Sequence, residues 1–161
     1  GIIPQEALVK EVPTVNLPAV NGNVTPPVNE ITAAAEEAAL RTINAGRASR
    51  GLPPLVVDPV LQNAVRLDAH KLARGGTVGI YPWDKTYLRE GMVAGQYPLT
   101  LEGQVAEATR LAEFLVDPQY VRNNSEYQAW AQSCVLEAKT VGLAYYYEKS
   151  ARGELLVRLG Y

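Results

Sequence analysis

The chain has a single cysteine, Cys134, among its 161 residues. One thiol excludes an intrachain disulfide and a multi-thiolate metal site, so the fold depends on its core alone. Cys134 lies in a mostly apolar stretch, whereas a reactive thiol needs exposure and an electropositive setting. We therefore predict that Cys134 is a small buried residue with no chemical role.

Histidine is equally scarce, since His70 is the only one. A hydrolytic zinc site takes about three protein ligands from His, Cys, Asp and Glu and keeps one position for water. His70 lies about half a turn around the helical wheel from the apolar stripe of its predicted helix, so we expect it to face solvent. A serine triad or a thiol dyad would need this same histidine, and no serine lies in a Gly-x-Ser-x-Gly motif. The sequence predicts no bound metal, no cofactor and no histidine-dependent catalysis.

An excess of one charge and long apolar runs are also lacking. The formal net charge is −2, and acidic and basic residues are interspersed, so no basic stripe fits a nucleic-acid backbone. No run approaches the roughly 18 apolar residues of a membrane-spanning helix. No basic segment followed by an apolar segment opens the chain, so we expect that any signal peptide was removed or never existed. We predict neither a nucleic-acid partner nor a transmembrane segment.

The composition is typical of one globular domain that follows an extended arm. Hydrophobic residues make up 47% of the chain and charged residues 20%, which suits a compact core in a chain of this length. Residues 1–30 are rich in Pro, Val and Asn, and their prolines prevent a regular helix. This arm could tether the domain or pack along it, and the sequence leaves both alternatives open. We predict an arm over 1–30 and a domain over 31–161.

Helical spacing of apolar residues predicts three main helices. The first begins near Ile31, where Thr32 could cap it, and ends before the glycine at 51 and the prolines at 53–54. The second has Asp58 as its N-cap and ends at the glycine pair 75–76. The third begins at Thr100 and ends at the Asp-Pro step 117–118, and a short fourth helix is predicted around Trp130.

Two strand-like runs follow, over 141–147 and 155–159, and a polar segment with a glycine connects them. This pattern predicts an antiparallel hairpin. Alternation sends Tyr146 to the opposite face from Tyr145 and Tyr147, so aromatic rings should be exposed or line a cavity on at least one face, unless helices cover all of them. Helices first and a hairpin last predict an α+β domain.

Several short motifs occur in a distinctive order. They are Ile43-Asn44, Arg47, Gly51-Leu52-Pro53-Pro54-Leu55 and Asp58-Pro59, followed by the segments 82–85, 89–95, 114–123, 141–145 and 156–160. From about Ala34 to Tyr161, their order and spacing resemble a bacterial domain of the CAP superfamily of cysteine-rich secretory, antigen 5 and pathogenesis-related proteins. The resemblance implies a secreted or cell-envelope domain with a three-layer αβα sandwich around a central, mainly antiparallel sheet.

The chain departs from this family at the shared cleft, where relatives carry two histidines and one or two carboxylates that hold a divalent metal in some members. By alignment, the histidine positions fall near Ile80 and at Tyr120, while Glu90 matches the carboxylate. The resemblance therefore implies a degenerate site without metal. We expect a ligand-binding cleft formed by Glu90, Tyr120, Ile80, Tyr87 and Met92. Within it, Glu90 would hydrogen-bond the Tyr120 hydroxyl, or both would address a polar group of the ligand.

Aromatic residues near this motif give the positive indication of binding, because tyrosine suits sites that need an apolar body and a polar group. They are Tyr81, Trp83, Tyr87 and Tyr97. The leading prediction is a non-catalytic extracytoplasmic domain, bacterial in origin, that binds an apolar small molecule or lipid. The alternative is a structural or protein-interaction module of the cell envelope. A hydrolase that pairs Glu90 with Glu102, Glu113 or Asp117 ranks last.

Overall fold

The computed structural model describes residues 11–12, 28–91, 96–121, 126–148 and 153–161. The helices in these ranges are α1 (Glu30–Ala48), α2 (Pro59–Ala73), α3 (Leu101–Phe114) and α4 (Glu126–Glu137), with a 3-10 helix at Pro118–Tyr120. The strands are β1 (Glu11–Val12), β2 (Val28–Asn29), β3 (Val56–Val57), β4 (Tyr87–Gly91), β5 (Thr140–Tyr147) and β6 (Gly153–Gly160). This mixed content agrees with the predicted α+β class.

The central sheet has four strands in the order β3–β5–β6–β4. Strands β5 and β6 form the predicted antiparallel hairpin, with Leu143 opposite Val157. Strand β4 pairs antiparallel with β6, whereas β3 runs parallel to β5 and reaches only as far as Val141. The sheet is therefore mixed, and among the described residues most of β5 has no partner strand on its β3 side. Separately, β1 pairs antiparallel with β2 just before α1.

Local signals set two of the helix starts as predicted. Asp58 Oδ1 accepts a hydrogen bond from the Val60 backbone N–H at 2.8 Å, and a proline occupies the first position of α2. The Thr100 hydroxyl accepts from the Gly103 N–H at 3.0 Å at the start of α3. Gly51 follows α1 with φ of 72°, a left-handed conformation that favours glycine.

The start of α1 corrects one prediction. Asn29, not Thr32, is the N-cap, because its side-chain oxygen accepts a 2.7 Å hydrogen bond from the Thr32 backbone N–H. Asparagine is among the best N-cap residues, and it caps the donor three positions later. The helix around Trp130 is also longer than predicted, since α4 has 12 residues.

Buried apolar side chains form two clusters, and strand alternation separates them onto the two faces of the sheet. The larger cluster combines residues of α1, α3 and α4 with Leu88, Val141, Leu143, Tyr145, Leu155, Val157 and Leu159. The smaller cluster packs Val65, Ala69 and Leu72 of α2 against Tyr87, Ala144, Tyr146 and Leu156. Tyr145 and Tyr146 thus face opposite ways, as predicted, and helices cover both rings.

Helix α2 approaches β5 closely at Gly142. A Cβ atom at this position would lie 2.3 Å from the carbonyl carbon of Leu61, which is closer than real Cβ contacts. Glycine is therefore required there for the backbone of α2 to pack directly on the strand.

Candidate functional site

The structure separates three of the five predicted site residues between the two faces of the sheet. Tyr87 belongs to the cluster beneath α2, and Ile80 packs against that same cluster. Glu90 lies three residues further along β4, and alternation places it on the opposite face, together with Leu88. Met92 lies outside the described residues. Tyr87 and Ile80 therefore do not border Glu90 as a single cleft would require.

Tyr120 does not make the hydrogen bond to Glu90 that we expected. Its hydroxyl accepts from Arg110 Nη1 at 2.7 Å and donates to Glu113 Oε2 at 3.3 Å. Its ring packs edge-on against Phe114, with centroids 4.7 Å apart. Charged groups of α3 therefore bond the Tyr120 hydroxyl at the surface in place of Glu90. Hydrogen bonds to charged groups are stronger than those between neutral groups.

Glu90 is a buried carboxyl with one unsatisfied oxygen. The residue is only 8% exposed, and Oε1 has no hydrogen-bond partner among the described residues. Burial raises the pKa of Glu90 from 4.5 to about 7, while the nearby Gln128 side chain opposes part of that rise. Glu90 therefore changes charge close to neutral pH, and its Oε1 is an acceptor that no described protein group uses.

Three aromatic rings form a surface that we call the aromatic face, defined by Trp83, Tyr127 and Trp130. Trp83 contacts both other rings edge-on, with centroids 6.0 Å from Tyr127 and 5.1 Å from Trp130. Trp83 is 52% exposed and Tyr127 is 37% exposed. Trp83 also has φ of 61°, the only positive value among the described non-glycine residues. A left-handed backbone conformation at a bulky residue costs about 1 kcal/mol or more, so contacts with neighbouring residues must stabilise it.

The aromatic face borders Glu90 through α4. Tyr127 precedes Gln128, whose amide donates to the Phe114 carbonyl and also favours the ionised form of Glu90. Burial first, and then the charge of Glu90, raise the pKa of Tyr127 to about 12, while the Arg89 backbone beside it opposes part of that rise. The exposed rings and the buried carboxyl therefore form one continuous candidate site.

A polar cavity, which we call the Glu36 pocket, lies beside the part of β5 that has no partner among the described strands. Its volume is about 150 Å³. It is lined by Val28, Asn29, Thr32, Glu36, Arg66, Ala69, His70, Ala73, Tyr145 and Tyr146.

Side chains replace a partner strand along this part of β5. The Gln62 amide bonds both backbone groups of Leu143, accepting from its N–H at 3.0 Å and donating to its carbonyl at 2.8 Å. Glu36 Oε1 accepts from the Tyr145 N–H at 3.3 Å, and its Oε2 accepts from Arg66 Nη2 at 3.0 Å. Burial raises the pKa of Glu36 to about 7 despite the Arg66 charge. These contacts protect an otherwise open edge.

His70 and Cys134 have the environments that the sequence predicted. His70 is exposed at the rim of the Glu36 pocket, with Nε2 3.2 Å from Arg74 Nη1. Cys134 is 4% exposed, and burial raises the pKa of its thiol. The predicted exposure of His70 and the predicted burial of Cys134 are therefore confirmed.

The other acidic residues considered for catalysis have local roles. Glu113 pairs with Arg110 at 3.6 Å, and Asp117 Oδ1 accepts from the Gln119 N–H at the 3-10 helix. Glu102 is exposed in the first turn of α3. Among the described residues, no group of three or more His, Cys, Asp or Glu side chains is arranged to hold a metal ion. None of the described helices has the length and apolar character needed to cross a membrane.

Comparison of the chain with models of protein families gives no match, and comparison with curated proteins gives none either. The resemblance to the CAP superfamily therefore stays a prediction based on the residues that carry it.

Proposed function

We propose that this chain is a non-catalytic, extracytoplasmic binding domain with a CAP-like three-layer αβα architecture, and that it binds an apolar small molecule or lipid. The apolar body of the ligand would lie on the aromatic face, and a hydrogen-bond donor of its head group would reach Glu90. The observation that carries this proposal is the buried Glu90 Oε1 without a partner beside exposed rings. Unsatisfied buried acceptors are costly, so a ligand that supplies a donor gains affinity.

The geometry also favours a particular head group. A hydroxyl can donate to Glu90 whether or not the carboxyl is ionised, whereas a carboxylate is repelled once Glu90 becomes an anion above pH 7. The strained backbone of Trp83 supports a binding role as well, because such strain is concentrated at functional sites. We therefore favour a lipid or apolar alcohol over a fatty acid.

The motif residues of α1 support the CAP-like part of the proposal. Asn44 Oδ1 accepts from the Leu55 N–H at 2.8 Å, and Arg47 Nε donates to the Pro53 carbonyl at 2.9 Å. These bonds fasten the Gly-Leu-Pro-Pro-Leu loop to α1, which gives the shared spacing a structural reason. Helices that pack on both faces of the sheet are also what the αβα architecture requires.

Intrinsic tryptophan fluorescence offers a direct test, because Trp83 and Trp130 are the only tryptophans and both belong to the aromatic face. The probes are 1-octanol, 1-methoxyoctane, which lacks the donor, and octanoate, each titrated at pH 8. We expect a saturable change with 1-octanol, and affinities about tenfold lower for the other two, since one charge-assisted hydrogen bond is worth about 1.5 kcal/mol or more.

Two variants make the result specific. Glu90→Gln should reduce the preference for 1-octanol over its methyl ether, while Glu102→Gln, at an exposed position of α3, should leave it unchanged. If none of the three probes changes the fluorescence saturably, the proposal fails.

The second candidate function is a protein-interaction module of the cell envelope. It is favoured by exposed valines at and beside the β3 edge of the sheet: Val56 and Val57 of β3 are 65% and 41% exposed, and Val60 in the first turn of α2 is 57% exposed. Apolar residues on an exposed edge suit contact with another chain. This function would be preferred if the octanol titration failed and Val56→Asp abolished retention on isolated envelope membranes.

A further inference from the structure

The Glu36 pocket has the size of a small-molecule site. Its volume of about 150 Å³ matches a cavity that holds benzene, so it accommodates a molecule or group of roughly six to eight non-hydrogen atoms. It lies at the free edge of β5, whereas the aromatic face lies beside β4 at the other edge of the sheet. A ligand here would therefore be separate from the one proposed for the aromatic face.

The acceptors that line this pocket already have protein donors. Glu36 accepts one bond on each oxygen, from the Tyr145 N–H and from Arg66. The Asn29 oxygen accepts from the Thr32 N–H, and its amide donates to the Tyr147 hydroxyl. The polar lining thus offers few free acceptors to a ligand.

The groups with spare capacity are donors. Arg66 Nε is buried and has no hydrogen-bond partner in the described part of the chain. When His70 Nε2 accepts from Arg74 at 3.2 Å, its proton lies on Nδ1, which is then a donor. Arg66 and Arg74 bring two positive charges to this region, whereas Glu36 brings at most one negative charge. The raised pKa of Glu36 reduces that negative charge near neutral pH. An anion with oxygen acceptors fits this surrounding better than a cation.

The remaining walls are apolar. Val28, Ala69 and Ala73 present small aliphatic groups, and the ring of Tyr146 lines the same space. A short hydrocarbon chain or ring would contact these groups while its charged end met the donors.

The geometry points to a second binding site: the Glu36 pocket takes a small monocarboxylate, whose oxygens accept from Arg66 and His70 and whose short apolar tail contacts Ala69, Ala73 and Tyr146.

Three probes with the same five-carbon chain and different head groups test this inference: pentanoate, pentanamide and pentylammonium. Each is titrated into the full chain, and binding is followed by amide chemical shifts. We expect pentanoate to shift the resonances of Ala69, His70 and Ala73 saturably. Pentanamide should bind at least fivefold more weakly, and pentylammonium should not bind there. Equal shifts with all three probes, or a preference for pentylammonium, would overturn the inference.

Two variants locate the site. Ala73→Phe should abolish pentanoate binding, because Ala73 is exposed at the pocket wall and a larger ring fills the space without entering the core. His70→Ala should lower the affinity at least threefold, and this exposed position should not affect folding. The matched control Ala45→Phe, exposed on α1 outside this pocket, should bind normally. Unchanged binding in Ala73→Phe would show that the site is elsewhere, whatever the outcome with 1-octanol.

Discussion

Glu36 and Glu90 lie at opposite edges of the central sheet, and burial raises the pKa of both carboxyls to about 7. Their surroundings nevertheless differ. Glu36 bonds the Arg66 guanidinium and the Tyr145 N–H, whereas Glu90 only has the Gln128 amide nearby, and its Oε1 has no partner among the described residues. Similar proton affinities therefore arise from two arrangements: one in which a buried carboxylate is paired and supports the sheet edge, and one in which it remains available to a ligand.

Removing the partner of Glu36 tests the paired arrangement. Arg66→Met leaves a buried carboxyl without its counter-charge, and Glu36 then takes up a proton. Since pH 8 lies about one unit above the pKa of about 7, the expected destabilisation at pH 8 is limited to about 1.4 kcal/mol. The loss should be much smaller at pH 5, because Glu36 is then protonated. Urea unfolding at both pH values measures the difference, and an equal loss at the two values would contradict the paired arrangement.

Glu90→Gln should change the free energy of unfolding in the opposite direction, towards greater stability. An acid whose pKa is raised by folding favours the folded state fully below its unfolded value of 4.5, and this contribution is lost as the pH rises through 7. A pKa change from 4.5 to about 7 corresponds to about 3 kcal/mol, so the variant should be more stable than the parent by up to that amount at pH 8. No gain is expected at pH 4. A variant less stable at pH 8 would show that the charged form of Glu90 is favourably paired.

Gln128→Leu removes an amide that donates to the Phe114 carbonyl and lies near Glu90. Because the amide favours the ionised carboxyl, its loss should raise the pKa of Glu90 further, and the loss of the Phe114 bond should destabilise the fold by about 1 kcal/mol. Carbon-detected NMR titration of the carboxyl measures the pKa. The pKa of Glu36, at the other edge, serves as the internal control and should not change.

Tyr120→Phe should have the smallest effect. Its hydroxyl bonds Arg110 and Glu113 at the surface, so the free energy of unfolding should change by less than about 0.5 kcal/mol. The pKa of Glu90 should stay the same. A rise in that pKa would restore the direct pairing of Tyr120 with Glu90 that the sequence suggested.

Elements that depend on local signals were predictable from the sequence. The Asp58 cap, the left-handed Gly51 and the β5–β6 hairpin each follow from a few neighbouring residues. The prediction of Thr32 as the cap was wrong because Asn29, another good cap residue, lies three positions earlier and accepts from the Thr32 N–H. The cap preferences of the two residues alone do not show where the helix begins.

The candidate sites were less predictable because they depend on alternation and on contacts distant in sequence. Once 87–91 is known to be a strand, Tyr87 and Glu90 must face opposite sides, but the residue pattern of this segment indicates no strand. Tyr127 joins Trp83 from a helix more than 40 residues away, which no local pattern shows. Glu36 did carry a signal: with Ala39 and Ile43 at i+3 and i+7, it lies on a buried stripe of α1.

A crystal structure of the chain with 1-octanol at pH 8 would test directly whether the aromatic face and Glu90 bind one ligand. We expect the octyl chain against Trp83 and Tyr127, with the hydroxyl oxygen about 2.5 to 3.0 Å from Glu90 Oε1. An aromatic face without the alcohol at saturating concentration, or Oε1 bonded to a group of the protein itself, would contradict this expectation.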